Sequence, residues 1–160
     1  MNSFPMTFSC TASAPCGIDA QGTSHPRMLS CGWLKTAEDL PIAIPQQFGG
    51  PSRENKNYSP EDLYGMALAN CFVATFQVFA KNSRITFEKI QVDLSFTIDQ
   101  NEKKMPYIKE IFFDIGVINA NDRARTERLL QKVSTNCIII ASVQAEKTFN
   151  FSVTEAAKSD

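Results

Sequence analysis

The sequence is short of the residues that most often carry catalysis. It holds a single histidine, His25, in 160 residues. That residue sits beside Pro26 in a turn-rich stretch, which leaves a Ser–His relay or a His-rich metal centre little to build on. No Cys-x-x-Cys pair occurs among the five cysteines, so the usual zinc spacing is missing. Glycine is sparse, at 7 residues. The one Gly-Gly pair, in Phe48-Gly49-Gly50-Pro51, lacks the lysine and helix start of a phosphate loop. An excess of either charge is also lacking: 16 Lys and Arg face 17 Asp and Glu, for a formal net charge of -1. With no block of like charges either, neither a nucleic acid nor a membrane is an expected partner. The N-terminus carries no charged leader with an apolar run, so no secretory signal is read and a cytoplasmic location is expected.

What is present fits one domain over 1–160. The chain is 43% hydrophobic and 10% aromatic, enough apolar material for a core. In a reducing compartment Cys10, Cys16, Cys31, Cys71 and Cys137 do not form a disulfide framework, and the odd count leaves at least one thiol free. Such cysteines pack, bind metal or react.

Residues 1–45 read as an N-terminal β-region, with β-like runs at Met6–Ala12, Met28–Leu34 and Leu40–Ile44 between Gly and Pro breaks. A turn-rich loop follows, from Phe48 to Asn57. A central helix is predicted over 59–82: Ser59 caps it, Pro60 suits its first position, and Glu61 and Asp62 face the positive end of its dipole. From Leu63 to Ala80 it carries no charge. An all-round apolar helix is buried in a core or spans a membrane. Its Ala, Gly, Asn and Gln content favours the core. A domain this small cannot wrap one helix on every side, so a dimer burying two such helices is expected. Beyond it, 86–118 reads as a β-meander. Ile90, Val92, Leu94, Phe96 and Ile98 alternate with polar residues, Asp99–Glu102 forms the turn, and Ile111, Phe113, Ile115 and Val117 share one face. A second helix spans 121–136, with Leu129, Leu130, Val133 and Cys137 at helical spacing. A final strand is expected over 138–153. The order makes an α+β protein.

Cys71 lies mid-helix and Cys137 at the end of the amphipathic helix. By spacing alone, each reads as a small core hydrophobe. The surrounding residues carry more. The stretch SPEDLYGMALANCFVATF, residues 59–76, resembles the signature helix of the OsmC/Ohr family (osmotically inducible protein C and organic hydroperoxide resistance protein). There a Pro-Glu pair begins the helix and the nucleophilic cysteine stands ten positions after the Glu, as Cys71 stands after Glu61. FGGP, residues 48–51, matches the segment before that helix. NCIIIASVQ, residues 136–144, holds the place of the second family cysteine, where it begins a strand, with Ile138 where a proline is common. The resemblance covers roughly residues 41–153.

It implies an OsmC-like fold of antiparallel sheets around a long buried central helix, in an intertwined homodimer with sites at the interface. It implies a thiol-dependent peroxidase. Cys71 attacks an organic hydroperoxide, Cys137 resolves the sulfenic acid, and an external dithiol reopens the disulfide. No cofactor and no metal is implied. It also implies an arginine beside the reactive cysteine, held by Glu61. Counting back from Gly49 gives Arg27, and Arg53 is the alternative. The chemistry agrees, because a mid-helix thiol in apolar surroundings needs a cation to stay ionised. His25 or Lys35 would serve less well than a guanidinium. Ten helical residues separate Glu61 from Cys71 by about 15 Å. Joint action therefore requires a break near Gly65 or a Glu61 donated by a partner chain. Met66, Phe72 and Phe76 favour an organic over an inorganic peroxide. Two other readings stay open: a non-catalytic protein binding a hydrophobic small molecule at the dimer interface, and a structural dimer whose cysteines only pack. Cys10, Cys16 and Cys31 receive no role, and a Cys10–Cys16 pair is left open.

Overall fold

The computed structural model describes residues 5–16, 23–25, 42–50 and 58–157. The strand β1 spans Met6–Pro15 and β2 Thr23–His25. A 3-10 turn at Gln46–Phe48 precedes the long helix α1, Pro60–Asn82. Strands β3, Lys89–Gln100, and β4, Pro106–Ala120, follow. Helices α2, Arg123–Asn136, and α3, Ile138–Ala141, then lead to β5, Glu146–Glu155. The sheet runs β2-β1-β3-β4-β5. The pairings are antiparallel except β4 with β5, which is parallel because α2 and α3 carry the chain back across the sheet. The fold is α+β.

Local chemistry starts α1 where the sequence places it. The Ser59 hydroxyl accepts from the Asp62 N–H at 3.1 Å, and the Asp62 carboxylate accepts from the Ser59 N–H at 2.9 Å, closing a capping box. From there the helix runs unbroken through Gly65 to Asn82. The role of Gly65 is close approach. A Cβ there would stand 3.2 Å from Cys10 Sγ and 3.3 Å from a Phe96 ring carbon, so glycine lets α1 lie down on β1 and β3. Gln77, mid-helix and buried, donates from Nε2 to the Pro15 carbonyl at 2.6 Å and ties the far half of α1 to β1.

The alternation read from the sequence is the alternation of the sheet. Ile90, Val92, Leu94, Phe96 and Ile98 are buried, as are Ile111, Phe113, Ile115 and Val117. They meet Met66, Leu68, Ala69, Phe72 and Phe76 on the inner side of α1, while Leu129, Leu130 and Val133 of α2 join the same core. Phe72 is fully buried, its ring centroid 6.5 Å from that of Phe113, 6.3 Å from Phe149 and 6.5 Å from Phe151. The opposite face of α1 is uncovered: Ala74 and Val78 are exposed, Val78 at 46%. Length and apolar composition would let α1 cross a membrane, but half of its apolar window is buried inside this fold.

Four readings are corrected. Residues 138–141 are helical, and the last strand starts at Glu146. The Ile138–Ile140 run has strand propensity, yet it docks as a turn of helix, with Ile140 buried and Ile138 at 83% exposure. Packing overrides propensity here. Within the described part of Leu40–Ile44, only an isolated bridge forms, Ile42 to Tyr58; Met28–Leu34 lies outside the described residues. The β3–β4 turn lies at 101–105, where the Asn101 side chain accepts from the N–H groups of Lys103 and Met105. A Cys10–Cys16 disulfide does not fit. Cys10 lies within β1 and Cys16 just past its end, so six residues of extended chain separate the two Cα atoms by ~20 Å, far beyond disulfide reach.

Phe72→Ala should cost about 3–5 kcal/mol, because it removes a fully buried ring from an aromatic cluster that cannot collapse onto the gap. Urea denaturation checks this, and a loss below about 1 kcal/mol would contradict the packing described.

Candidate active site

The site forms where the middle of α1 meets the junction of α2 and α3. Cys71 lies on α1, half-buried, against the core. Cys137 is the residue at which α2 ends and α3 begins. Its N–H donates to the Val133 carbonyl at 3.0 Å, and its carbonyl accepts from the Ala141 N–H at 2.8 Å. It therefore belongs to a helix-to-helix corner rather than to the start of a strand. That corner presses the Cys137 side chain, fully buried, toward α1.

The Cys137 side chain neighbours Cys71, close enough for the Cys71 sulfur to act on its proton. Both are free thiols, as are Cys10 and Cys16. Burial pushes the Cys137 thiol up to about 11, and the hydrogen bond and like charge of Cys71 push the same way. Two groups oppose them: the Ile140 backbone N–H, which falls short of a full side-chain cap bond, and the Thr75 side chain. Thr75 stands one turn beyond Cys71 on α1. Sequence reading missed it, because an isolated threonine in an apolar helix carries no motif. Its i+4 relation to Cys71 was the one available signal.

Glu61 is at the other end of the unbroken α1, so the first of the two ways of joining it to Cys71, a break at Gly65, does not occur. Its Oε2 is buried and has no hydrogen-bond partner among the described residues. The carboxylate lines an open cleft of about 310 Å³ with Phe48, Tyr64, Ile98, Tyr107 and Ile108. Arg27, Arg53, Lys35 and Cys31 lie outside the described residues, as does the His25 side chain. Met66, Phe72 and Phe76 are fully buried and serve the core. No cluster of three or more His, Cys, Asp or Glu side chains fit to hold a metal ion occurs among the described residues.

A pair of adjacent thiols, one accessible and one buried, is an arrangement suited to dithiol–disulfide chemistry. The sequence pattern of the OsmC-like protein family matches residues 53–152, which contain both cysteines and Glu61. The chain belongs to this family. No curated protein sequence matches it. Solved structures of the family share the fold at low identity. An organic hydroperoxide resistance protein from Legionella pneumophila is 17% identical, covering 95% of this chain and 98% of that one, at a TM-score of 0.59. One from Elizabethkingia anophelis, with thiocyanate bound, is 15% identical over 97% and 99%, at 0.60. An OsmC-like protein of unknown function from Vibrio cholerae is 20% identical, but the match spans 61% of this chain and 66% of that one, at 0.54.

The other buried thiol, Cys10, has its proton held to about pH 12 by burial and then by the carboxylates of Asp62 and Asp93. A thiol raised by folding stabilises the fold fully below its unfolded value near 9. That contribution is lost as pH climbs, because the unfolded chain ionises first. Between pH 9 and 12 the wild type should lose stability more steeply than Cys10→Ala in urea midpoints. Equal slopes would contradict the burial of this thiol.

Proposed function

We propose that this chain is a thiol-dependent peroxidase that reduces organic hydroperoxides to alcohols through Cys71 and Cys137. The observation that carries the reading is the proximity of the two thiols, each in reach of the other's electrostatic influence. The Cys71 thiolate attacks the outer peroxide oxygen. The O–O bond breaks, the alkoxide leaves and takes up a proton as the alcohol, and Cys71 is left as a sulfenic acid. The Cys137 sulfur then attacks the Cys71 sulfur. An S–S bond forms, the S–O bond breaks, and the hydroxyl leaves as water. An external dithiol reopens the disulfide by exchange. Sulfur and oxygen alone balance this cycle. The reducing cytosol is where such a dithiol is at hand.

The active form proposed is an intertwined homodimer. The uncovered face of α1, with Ala74 and Val78, and the exposed Ile138 and Ile139 next to Cys137 are apolar surface that a second copy would bury. Because α1 is unbroken through Gly65, the Glu61 that serves Cys71 is assigned to the partner chain. A buried carboxylate oxygen without a donor is costly, and a guanidinium satisfies it best. Arg27, with Arg53 as alternative, is the proposed donor. Placed between Glu61 and Cys71, it would hold the thiolate ionised.

A second reading has an observation of its own. The aromatic and aliphatic cleft beside Glu61 has the character of a site for a hydrophobic small molecule without chemistry.

Consumption of cumene hydroperoxide in the presence of excess dithiol separates the two. Wild type should turn over, and Cys71→Ser should fall to the uncatalysed rate. Undiminished turnover in Cys71→Ser, or none in the wild type, would end the peroxidase reading.

A further inference from the structure

We infer that the exposed cationic row on α2 is the docking surface for the protein that reopens the Cys71–Cys137 disulfide, and that this partner is an acidic protein carrying a dithiol. The inference rests on the peroxidase reading for its need of a dithiol. It goes beyond that reading in saying where the carrier of the dithiol binds and by what chemistry.

Charge is not spread evenly over this molecule. Helix α2 carries Arg123, Arg125, Arg128 and Lys132 against one carboxylate, Glu127, in a chain whose formal net charge is -1. All four cations are exposed. Glu127 is taken by Arg123, whose Nε donates to its Oε1 at 2.8 Å. Positions 125, 128 and 132 are three and four apart, which sets them in one row beside the buried Thr126, Leu129, Leu130 and Val133.

Two contacts fix where that row lies. Arg125 donates from Nη2 to the Ser83 carbonyl at 2.6 Å, and the Lys132 ammonium stands 5.4 Å from the centre of the Phe79 ring. Helix α2 therefore runs antiparallel along α1, and the row follows the seam between them. Cys137 closes the same helix. Lys132 precedes it by about 8 Å of helix and Arg125 by about 18 Å. A protein whose dithiol reaches the cysteine pair covers that distance. Among the described residues, the one carboxylate at ion-pair distance from the row is Asp122, 4.0 Å from Arg125. Arg128 and Lys132 have no carboxylate partner there. Cations held in a row without counter-charges favour an anionic surface and steer it into place. A protein suits the row better than a nucleic acid does. Three cations over about 10 Å of helix neutralise few phosphates, and a nucleic acid brings no thiol.

The exchange balances without another reactant. One thiolate of the docked partner bonds to the sulfur of Cys71, the less covered of the two cysteines. The bond between Cys71 and Cys137 breaks, and Cys137 leaves as a thiolate that takes up a proton. The partner's second thiolate then bonds to its first sulfur, and Cys71 leaves as a thiolate. The partner ends as a disulfide and both cysteines of this chain end reduced.

The test forms the disulfide with diamide and follows its reopening by intact mass. Two synthetic dithiol peptides are the probes: a Cys-x-x-Cys flanked by glutamates, and the same peptide with glutamines in their place. In the wild type the glutamate peptide should react about tenfold faster at low salt, and strong salt should erase the difference. Arg128→Glu combined with Lys132→Glu should erase it as well, while dithiothreitol reopens the disulfide equally fast in wild type and variant. Equal rates for the two peptides in the wild type, or an undiminished difference in the variant, would overturn the docking surface. So would a dithiothreitol rate that falls in the variant, because the substitutions then disturb the cysteines themselves. Equal peptide rates together with binding of a duplex oligonucleotide at physiological salt would give the row to nucleic acid. None of these outcomes touches hydroperoxide consumption, so the peroxidase reading stands or falls separately. A protein in which diamide forms no Cys71–Cys137 disulfide removes both.

Discussion

The site depends on one juxtaposition: a sulfur in the middle of a long helix and a sulfur at a helix corner, made neighbours by the core. Cys71 cannot move along α1, because α1 is pinned at both ends. The capping box of Ser59 and Asp62 fixes its start, and Gln77 ties its far half to the Pro15 carbonyl. Cys137 cannot swing away, because its own backbone ends one helix and starts the next. Two thiols held as neighbours start a bond-forming step already close, which is the advantage that preorganised geometry gives a reaction.

The same juxtaposition also accounts for a division of labour between the cysteines. Burial and the neighbouring sulfur keep the proton on Cys137, while Cys71 occupies the less covered position. A nucleophile must meet its substrate and a resolving thiol must not, so the difference in cover suits the two proposed roles. Cys10 illustrates the alternative fate of a thiol. It is buried beside Gly65 and Phe96 with two carboxylates nearby, and it does packing work.

Much of the fold was legible because its causes are local. The period of two in Ile90–Ile98 and Ile111–Val117 follows from a sheet with one face in the core. The start of α1 follows from its cap, and Asp122 caps α2 through the Arg125 N–H. Cys71, Cys137 and Glu61 were found by family pattern, since their spacing in sequence carries no signal of a shared site. The non-local features were hidden. Three consecutive isoleucines read as a strand, but their place at a corner over α1 makes them helical. The parallel pairing of β5 is a matter of where α2 returns the chain, not of any residue in β5. Arg27 and Arg53, the proposed partners of Glu61, lie outside the described residues.

The central claim is that these two thiols form one redox unit, and a disulfide map tests it most directly. One equivalent of cumene hydroperoxide is added to the reduced protein, free thiols are blocked, and the protein is digested without reduction. The account predicts a single cross-linked peptide pair joining Cys71 to Cys137, with a loss of two hydrogens that dithiol reverses. Cys71 recovered as sulfinic or sulfonic acid with Cys137 still a blocked thiol would contradict it, as would a disulfide joining any other pair.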